Sequence, residues 1–303
     1  MTNRALQPTP DATPAARMAQ TEWAARVRAN NAQANRVREE SERDDFYAPV
    51  ADVFRADPTR TDDPALNALL GIARPQDVWL DVGAGGGRYS LGLARAVRRL
   101  IAIEPSQAMR AVFSETANEF KITNTDLRDE RWPPPVGPLP DPAGFPADVA
   151  FISHVGYDIA EIGPFLDALE ASASRTCAAL LMSPGPIATF ASLWPDVHGE
   201  PQAELPGLRD FLGLLLARGA LPEMKLVTTH TWRFDSRANA EAAAMRRLWL
   251  TPQGGKADRL RAALSDSLLP DPSSANPDAV RAPHQSRVGL VTWTPPGADP
   301  VDD

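Results

Sequence analysis

Four glycines fall within residues 83–87 of the stretch DVWLDVGAGGGRYSLGLARAV, which spans residues 77–97. An apolar run typical of a buried strand precedes them, and a run typical of a helix follows. Glycine weakens both strands and helices, so its repetition here indicates that something requires the bare backbone. The first amides of the helix carry the positive end of its dipole, which suits an anionic or polar ligand.

Two common glycine-rich ligand sites fit this stretch poorly. A phosphate-binding P-loop ends in Gly-Lys-Ser/Thr, whereas here Gly87 is followed by Arg88 and Tyr89. The dinucleotide fingerprint G-x-G-x-x-G requires a third glycine at position 88, where an arginine would crowd the packing of helix on strand. The P-loop is therefore excluded, and a dinucleotide site stays open only as an alternative.

Two acids accompany the glycines. Asp81 lies two positions before the first glycine, and Glu104 ends the next strand-like run in IAIEPS. A carboxylate at a strand tip offers two acceptor oxygens, which match the two hydroxyls of a ribose. Asp81, under the loop, suits a cationic amino group better than a pyrophosphate. An amino acid joined to a nucleoside meets both requirements, which indicates S-adenosylmethionine.

The segments LDVGAGGGRYSLGLA (residues 80–94) and AIEPSQAMR (residues 102–110) resemble the first two motifs of the class I S-adenosylmethionine-dependent methyltransferases. The resemblance covers roughly residues 75–185. It implies that Asp81 orients the amino group, directly or through water, and that Glu104 holds the ribose. It also implies that the methionyl and ribose side is lined by Gly83, Ala84, Gly85 and Gly87, and that adenine is flanked by Pro105, Ser106 and Met109.

The adenine contact itself is the least defined part of this resemblance. The family often has an Asp at the tip of the third strand, and the corresponding spacing here leads to Arg131 and Trp132. We assign both residues, together with Ser153 at the end of the fourth strand-like run, to the cofactor site. Asp126 and Asp129 lie nearby, so the identity of the adenine contact stays open.

Short apolar runs alternate with helix-like stretches through the centre of the chain. Nearly continuous apolar strands separated by helices indicate a parallel sheet that is covered on both faces. The sequence therefore predicts an α/β fold. The resemblance implies a Rossmann-like seven-stranded, mostly parallel sheet whose last strand is antiparallel and inserted before the sixth. The strand-like runs are residues 78–82, 99–104, a weak one near 122–128, 147–153, 177–183, 224–235 and 286–295.

We divide the chain into three parts. Residues 1–14 are predicted to be a disordered tail, and residues 15–75 an N-terminal helical lid or extension. Residues 76–303 form the predicted methyltransferase domain, with a substrate-side insertion at about 186–206. Residues 15–45 lack Pro and Gly and favour one long helix, which we expect to lean on the body through Met18, Trp23 and Val27.

Residues outside the two motifs supply candidates for catalysis and substrate binding. His154 and Tyr157 follow the fourth strand-like run, at the sheet edge where α/β proteins bind ligands. We predict that His154 accepts a proton and that Tyr157 orients the acceptor. Tyr47 in the lid, and Trp194 and His198 in the insertion, are candidate substrate contacts. Each of these residues also has an alternative interpretation as a packing residue, and their spacing predicts no metal site.

Composition limits the partners and the location. The 303 residues carry 31 basic and 39 acidic side chains, a net charge of -8, which argues against nucleic acid as a partner. The single cysteine, Cys177, excludes an internal disulfide and fits a reducing compartment. No segment has the apolar length of a signal peptide or a membrane helix. We therefore expect a cytoplasmic protein that does not bind membranes.

The predicted reaction is methyl transfer from S-adenosylmethionine to an O, N or C nucleophile of a small molecule. The segment SHVGYDI (residues 153–159) stands where nucleic-acid amino methyltransferases often have Pro-Pro-Tyr/Phe, so DNA amino methylation is disfavoured. Two alternatives stay open. One is an NAD-dependent oxidoreductase that uses the same sheet and Glu104. The other is a non-catalytic, methyltransferase-like interaction protein whose partner surface is the helix in residues 15–45, which is also a candidate for homo-oligomerisation.

Overall fold

The structure is a computed structural model that describes residues 13–39, 45, 47–134 and 147–298. The predicted tail lies almost wholly outside the described residues, as does the Pro-rich stretch 135–146. Within the described ranges, every helix is too short or too polar to cross a bilayer.

The sheet is mixed and has the predicted strand order. Seven strands of the described chain pair in the order β3-β2-β1-β4-β5-β8-β6, and the two-residue β7 pairs with β8 off this path. Strands β1 to β5 are parallel, whereas β8 runs antiparallel to both β5 and β6. The last strand is therefore inserted before the sixth, as predicted. The strands are β1 (Val78–Val82), β2 (Arg99–Ile103), β3 (Thr125–Arg128), β4 (Ala147–Ser153), β5 (Ala173–Ser183), β6 (Glu223–Phe234), β7 (Leu269–Pro270) and β8 (Val280–Trp293).

Helices alternate with the strands, and α1, α2, α4 and α8 begin at a side chain that caps the first turn. At the start of α2, for example, the Asp63 carboxylate accepts from the backbone N–H groups of Ala65 and Leu66, and Pro64 occupies the first turn. The 3-10 helix Ala48–Phe54, called here the N-terminal 3-10 helix, precedes it, and a second 3-10 helix spans Pro186–Leu193. The α-helices are α1 (Pro14–Val37), α2 (Pro64–Leu70), α3 (Ser90–Ala94), α4 (Gln107–Glu119), α5 (Ile162–Ala171), α6 (Trp194–His198), α7 (Leu208–Ala217), α8 (Arg237–Arg247) and α9 (Gly255–Ser267).

The core has one apolar layer on each face of the sheet. Successive side chains of a strand point to opposite faces, so Leu80 and Trp79 of β1 enter different layers. Leu80 packs with α1, α5 and α7, whereas Trp79 packs with α2, α3 and α4. Trp79 also meets Phe151 of β4 edge to face, with ring centroids 5.3 Å apart. Helices therefore cover both faces, which confirms the predicted fold class.

Helix α1 differs from its prediction in length and in burial. It ends at Val37 rather than near residue 45, and Met18 is 71% exposed. Trp23 and Val27, by contrast, are buried in the layer with α5 and α7, and the Trp23 indole donates to the Ile159 carbonyl at 3.0 Å. The narrow apolar stripe thus makes α1 part of the core layer, because two large side chains are enough to bury that face.

The chain after β5 forms a third apolar cluster beside the sheet. The 3-10 helix Pro186–Leu193 and helices α6, α8 and α9 bury Phe190, Trp194, Leu248 and Leu260 against one another. The first part of the predicted insertion, up to Val197, lies in this cluster, whereas the carbonyls of Pro201, Ala203 and Leu205 accept from side chains of α1.

Candidate functional site

The glycine loop joins β1 to α3 at the carboxyl edge of the sheet. The N–H groups of Gly83 and Ala84 donate to the Ile103 carbonyl at 2.8 and 3.1 Å, which fastens the loop to the end of β2. Gly83 has a φ of 80°, and a Cβ there would lie 2.6 Å from a methyl of Val155. Gly85 also has a positive φ of 56°, but a Cβ there would meet no atom within 4 Å. The loop is thus constrained at Gly83, whereas the space that a Cβ of Gly85 would occupy is open.

Asp81 lies at the end of β1 under this loop and is 2% exposed. Its Oδ2 accepts a short hydrogen bond from the Ser90 hydroxyl at the start of α3. Its Oδ1 is buried and has no hydrogen-bond partner. Burial raises the pKa of Asp81 to about 7, opposed by the Ser90 hydrogen bond and reinforced by the charge of Glu104. A buried carboxylate oxygen without a donor is costly, which indicates a site for a cationic or donor group.

Glu104 lies beside the loop at the end of β2 and is 6% exposed. The Gly85 N–H donates to its Oε2 at 2.8 Å, and the Ser106 N–H donates to its Oε1 at 2.7 Å. Burial raises the pKa of this carboxyl, while the two backbone hydrogen bonds act in the opposite direction. Each oxygen can accept one further hydrogen bond. The carboxylate is therefore held in a fixed orientation and keeps acceptor capacity for two hydroxyl groups.

The N-terminal segment covers the start of α4 next to Glu104. Asp45 accepts from the Ser106 hydroxyl at 2.8 and 3.0 Å and from the Ala108 N–H at 3.3 Å. The N-terminal 3-10 helix then packs Ala51 against Met109 of α4. These contacts place Asp45 and Ala51 beside the start of α4, and the predicted lid role of this segment stays a prediction.

The residues predicted on the adenine side are spread over different environments. Pro105 is exposed, and Met109 is buried under the N-terminal 3-10 helix. Arg131 is exposed, whereas Trp132 packs against the α1–α5–α7 layer and donates from its indole to the Phe165 carbonyl at 3.2 Å. The polar atom of Trp132 is thus used in packing, and its predicted contact with the cofactor stays a prediction.

His154 follows β4 directly and carries a left-handed backbone φ of 56°, which is uncommon for a residue other than glycine. Its N–H is held by the Leu180 carbonyl at 2.9 Å. Its Nδ1 is buried without a hydrogen-bond partner, as is the hydroxyl of the preceding Ser153. Burial lowers the pKa of His154 to about 4, and the charges of Arg88 and His230 act in the same direction. The imidazole is therefore neutral near pH 7, and one of its ring nitrogens is unprotonated.

Tyr157 is buried and binds the backbone, and its predicted catalytic role stays a prediction. It is 7% exposed, and its hydroxyl accepts from the Met182 N–H at 2.7 Å. Burial raises the pKa of its phenol, so it stays protonated. Tyr157 holds the end of β5 to the loop after β4, and its oxygen already serves the backbone.

Trp194 and His198 also lie in packed surroundings, and their predicted contacts with a substrate stay a prediction. Trp194 is 1% exposed within the third apolar cluster, and its ring lies 4.6 Å from that of His198. The Nε2 of His198 is 3.0 Å from the Leu248 carbonyl, which joins α6 to the end of α8. The aromatic residues of the insertion therefore pack in the core of that part of the chain.

The carboxyl edge also contains residues that the sequence did not single out as functional. Tyr89 has its ring 6.2 Å from that of His154. His230 and Trp232 lie near the carboxyl end of β6 with ring centroids 4.7 Å apart, and the Arg247 guanidinium lies 5.0 Å over the Trp232 ring. The partial alternation of TTHTWRF on β6 was the available signal, but it does not show which residues the sheet brings to this edge.

Comparison with known proteins supports the fold. No protein-family profile matches the chain, and no curated protein sequence matches it either. The structure of a presumed methyltransferase from Bacillus halodurans C-125 is similar, with a TM-score of 0.52 over 78% of this chain and 100% of that chain, at 12% identity. The likeness shows that the two chains share a Rossmann-like fold.

Two further solved structures share a weaker likeness. The YcgJ protein from Bacillus subtilis has a TM-score of 0.49 over 75% of this chain and 97% of that chain, at 12% identity. A geranyl diphosphate C-methyltransferase from Streptomyces coelicolor A3(2) has a TM-score of 0.43 over 94% of this chain and 100% of that chain, at 13% identity.

Proposed function

We propose that this chain binds S-adenosylmethionine and transfers its methyl group to an O, N or C nucleophile of a small molecule. The observation that carries the proposal is the buried Asp81 carboxylate under an open glycine loop. Its Oδ1 has no hydrogen-bond partner, and Glu104 stands beside the same loop with spare acceptor capacity. A nucleotide would place the negative charges of its pyrophosphate beside two acids. An amino acid joined to a nucleoside would instead offer its cationic amino group to Asp81 and its ribose hydroxyls to Glu104.

The residues present fit this cofactor. Asp81 would hold the cationic amino group, which in turn would favour the ionised carboxylate. The backbone at Gly83 and Gly85 would take the methionyl part, because a ligand can approach Gly85 without meeting a side chain. Glu104 would accept from the ribose hydroxyls, and Ser106 at the start of α4 would lie beside the adenine, close to Asp45.

Bound S-adenosylmethionine supplies a methyl group that its positive sulfur has already activated. The chain must then align donor and acceptor and exclude water. His154 would take the acceptor's proton on Nδ1, a nitrogen without a hydrogen-bond partner on a ring that is neutral near pH 7. Tyr47 lies near enough to Glu104 for that charge to raise its pKa, and it would contact the substrate.

Calorimetric titration with S-adenosylmethionine, S-adenosylhomocysteine and NAD in parallel tests the proposal. We expect the first two to bind and NAD not to bind. Glu104→Ala should abolish binding and Glu104→Gln should weaken it, because the amide offers one acceptor in place of two. Glu223→Ala, which removes an exposed acid at the start of β6, is the matched control and should bind like the original chain.

NAD binding without S-adenosylmethionine binding would overturn the proposal in favour of an oxidoreductase. Binding of neither would point to the non-catalytic alternative. If both Glu104 variants bound S-adenosylmethionine as tightly as the original chain, the assignment of the ribose contact would be wrong even though the cofactor was right.

A further inference from the structure

The carboxyl edge of the sheet carries a second group of polar side chains that the proposed cofactor contacts do not use. Strand β6 is parallel to β5, since both are antiparallel to β8, so its carboxyl end lies at the same edge as those of β1 and β4. His230 and Trp232 stand near that end, and the charge of His230 acts on His154 of the β4 end. Helix α8 ends beside them at Arg247, and Tyr47 lies within electrostatic reach of that arginine.

Three of these side chains carry polar atoms with no protein partner. The Nδ1 of His154, the Nε2 of His230 and the Nε1 of Trp232 are each buried without a hydrogen bond. Buried polar atoms are normally satisfied, so such atoms converging on one edge indicate a ligand that supplies the missing partners. Asp81 and Ser153 provide further unpartnered oxygens toward the cofactor side.

Arg247 identifies the charge of that ligand. Its guanidinium is stacked over the Trp232 ring at 5.0 Å, and no described carboxylate forms an ion pair with it. Burial lowers the pKa of Arg247 to about 10, so it stays charged near pH 7. A half-buried guanidinium that lacks a carboxylate but is fixed on an aromatic face is arranged to receive an oxyanion through its planar fork.

The aromatic rings at this edge of the sheet indicate the body of the ligand. Tyr89 lies beside His154, and His230 lies beside Trp232. Flat aromatic molecules pack favourably on such rings. The chain carries a net charge of -8, so its overall field repels anions and an anionic ligand depends on a local cation.

We propose that the methyl acceptor is an aromatic anion that binds at this edge of the sheet, with its carboxylate or phosphate paired to Arg247 and its ring against Trp232. The statement that the bound anion accepts a methyl group rests on the proposed function. The anion site itself can be tested without the cofactor. Arg247 and Trp232 determine specificity in this proposal, and His154 faces the reacting end of the ligand.

Ligand-observed NMR on the full chain, without cofactor, provides the test. The probes are benzoate, phenyl phosphate and the neutral benzyl alcohol, which share a ring and differ in charge. We expect at least one anion to bind about tenfold or more tightly than benzyl alcohol, and the better anion to identify carboxylate or phosphate as the bound group. Arg247→Met should abolish this preference, and Arg247→Lys should restore part of it, because lysine keeps the charge without the planar fork.

Arg246→Met is the matched control, since Arg246 is the exposed neighbour on the same helix and its loss changes the net charge equally. It should keep the preference for anions. Circular dichroism melting curves establish that each variant is folded. The proposal is overturned if the anions bind no better than benzyl alcohol, if no anion binds, or if the Arg246 and Arg247 variants lose the preference alike.

Calorimetry with S-adenosylmethionine on Arg247→Met separates this inference from the proposed function. We expect cofactor binding to persist in the variant, because Arg247 makes no contact with the glycine loop or Glu104. If aromatic anions bind through Arg247 but S-adenosylmethionine does not bind at all, the anion site stands and the methyltransferase proposal fails. If S-adenosylmethionine binds and the aromatic anions do not, the anion site is refuted and the methyltransferase proposal stands.

Discussion

Replacement of Asp81 by asparagine tests the electrostatic argument on which the cofactor site depends. Asp81 is 2% exposed, and burial raises the pKa of its carboxyl from 3.8 to about 7. The carboxyl of Asp81 therefore binds its proton more tightly in the folded chain than in the unfolded chain. Stability should be lost as the pH rises from the unfolded value to the folded value, and should be constant above it. The asparagine side chain cannot titrate, so the variant should lack this loss.

The magnitude follows from the two pKa values. Between about pH 5 and about pH 8 the unfolded carboxyl gains about three units of ionisation free energy and the folded carboxyl about one, which leaves a difference of about two units. At about 1.4 kcal/mol per unit, the original chain should lose about 2–3 kcal/mol of unfolding free energy that Asp81→Asn does not lose. The cost of burying the new amide is the same at both pH values and cancels.

Urea denaturation of both proteins at the two pH values measures this difference. Asp235→Asn, which removes an exposed acid after β6, is the control and should follow the original chain. S-adenosylmethionine supplies a second measurement, because its amino group requires the ionised carboxylate. Its affinity for the original chain should rise by up to about tenfold per pH unit below about pH 7, and its affinity for Asp81→Asn should be weaker and less dependent on pH.

One result would refute this reasoning directly. If the original chain and Asp81→Asn lose equal stability between the two pH values, Asp81 does not have a raised pKa in the folded chain. The unpartnered oxygen would then be solvated, and the main argument for an amino-group site would fall.

Four further substitutions test other parts of the structure. Gly87→Ala should lower the unfolding free energy by about 1–3 kcal/mol, because φ is 83° and the new Cβ would lie 2.8 Å from two core side chains. Gly213→Ala, in open space on α7, should raise it by up to about 1 kcal/mol, and urea denaturation compares the two variants. His154→Asn, which tolerates the left-handed backbone, should lower kcat about 10²–10⁴-fold with little change in cofactor affinity; an unchanged kcat would show that no general base is used. Tyr157→Phe should cost about 1–3 kcal/mol of stability, because the Met182 N–H loses its acceptor, and should leave kcat within about twofold in methyl-transfer assays; a large fall in kcat would reinstate Tyr157 as catalytic.

The sequence alone determined the parts of the site that depend on local pattern. Strands β1 and β4 begin and end where their apolar runs do, at Val78–Val82 and Ala147–Ser153, because a strand buried on both faces requires an unbroken apolar run. Asp81 and Glu104 were predicted at strand ends for the same reason, since the extent of a buried parallel strand fixes where the polar residues at its end lie. The antiparallel last strand came from the family resemblance, and the structure confirms its place.

Only the tertiary structure decided which side chains reach the substrate side. Tyr157, Trp194 and His198 have residue types that suit catalysis or binding, but packing turns them into the interior. His230 and Arg247 are separated from His154 by many residues, and they come together because β8 is inserted between β5 and β6 and α8 returns to the carboxyl edge. A pattern of residue types records local conformation and burial, whereas convergence of distant segments depends on strand order, which no single segment encodes.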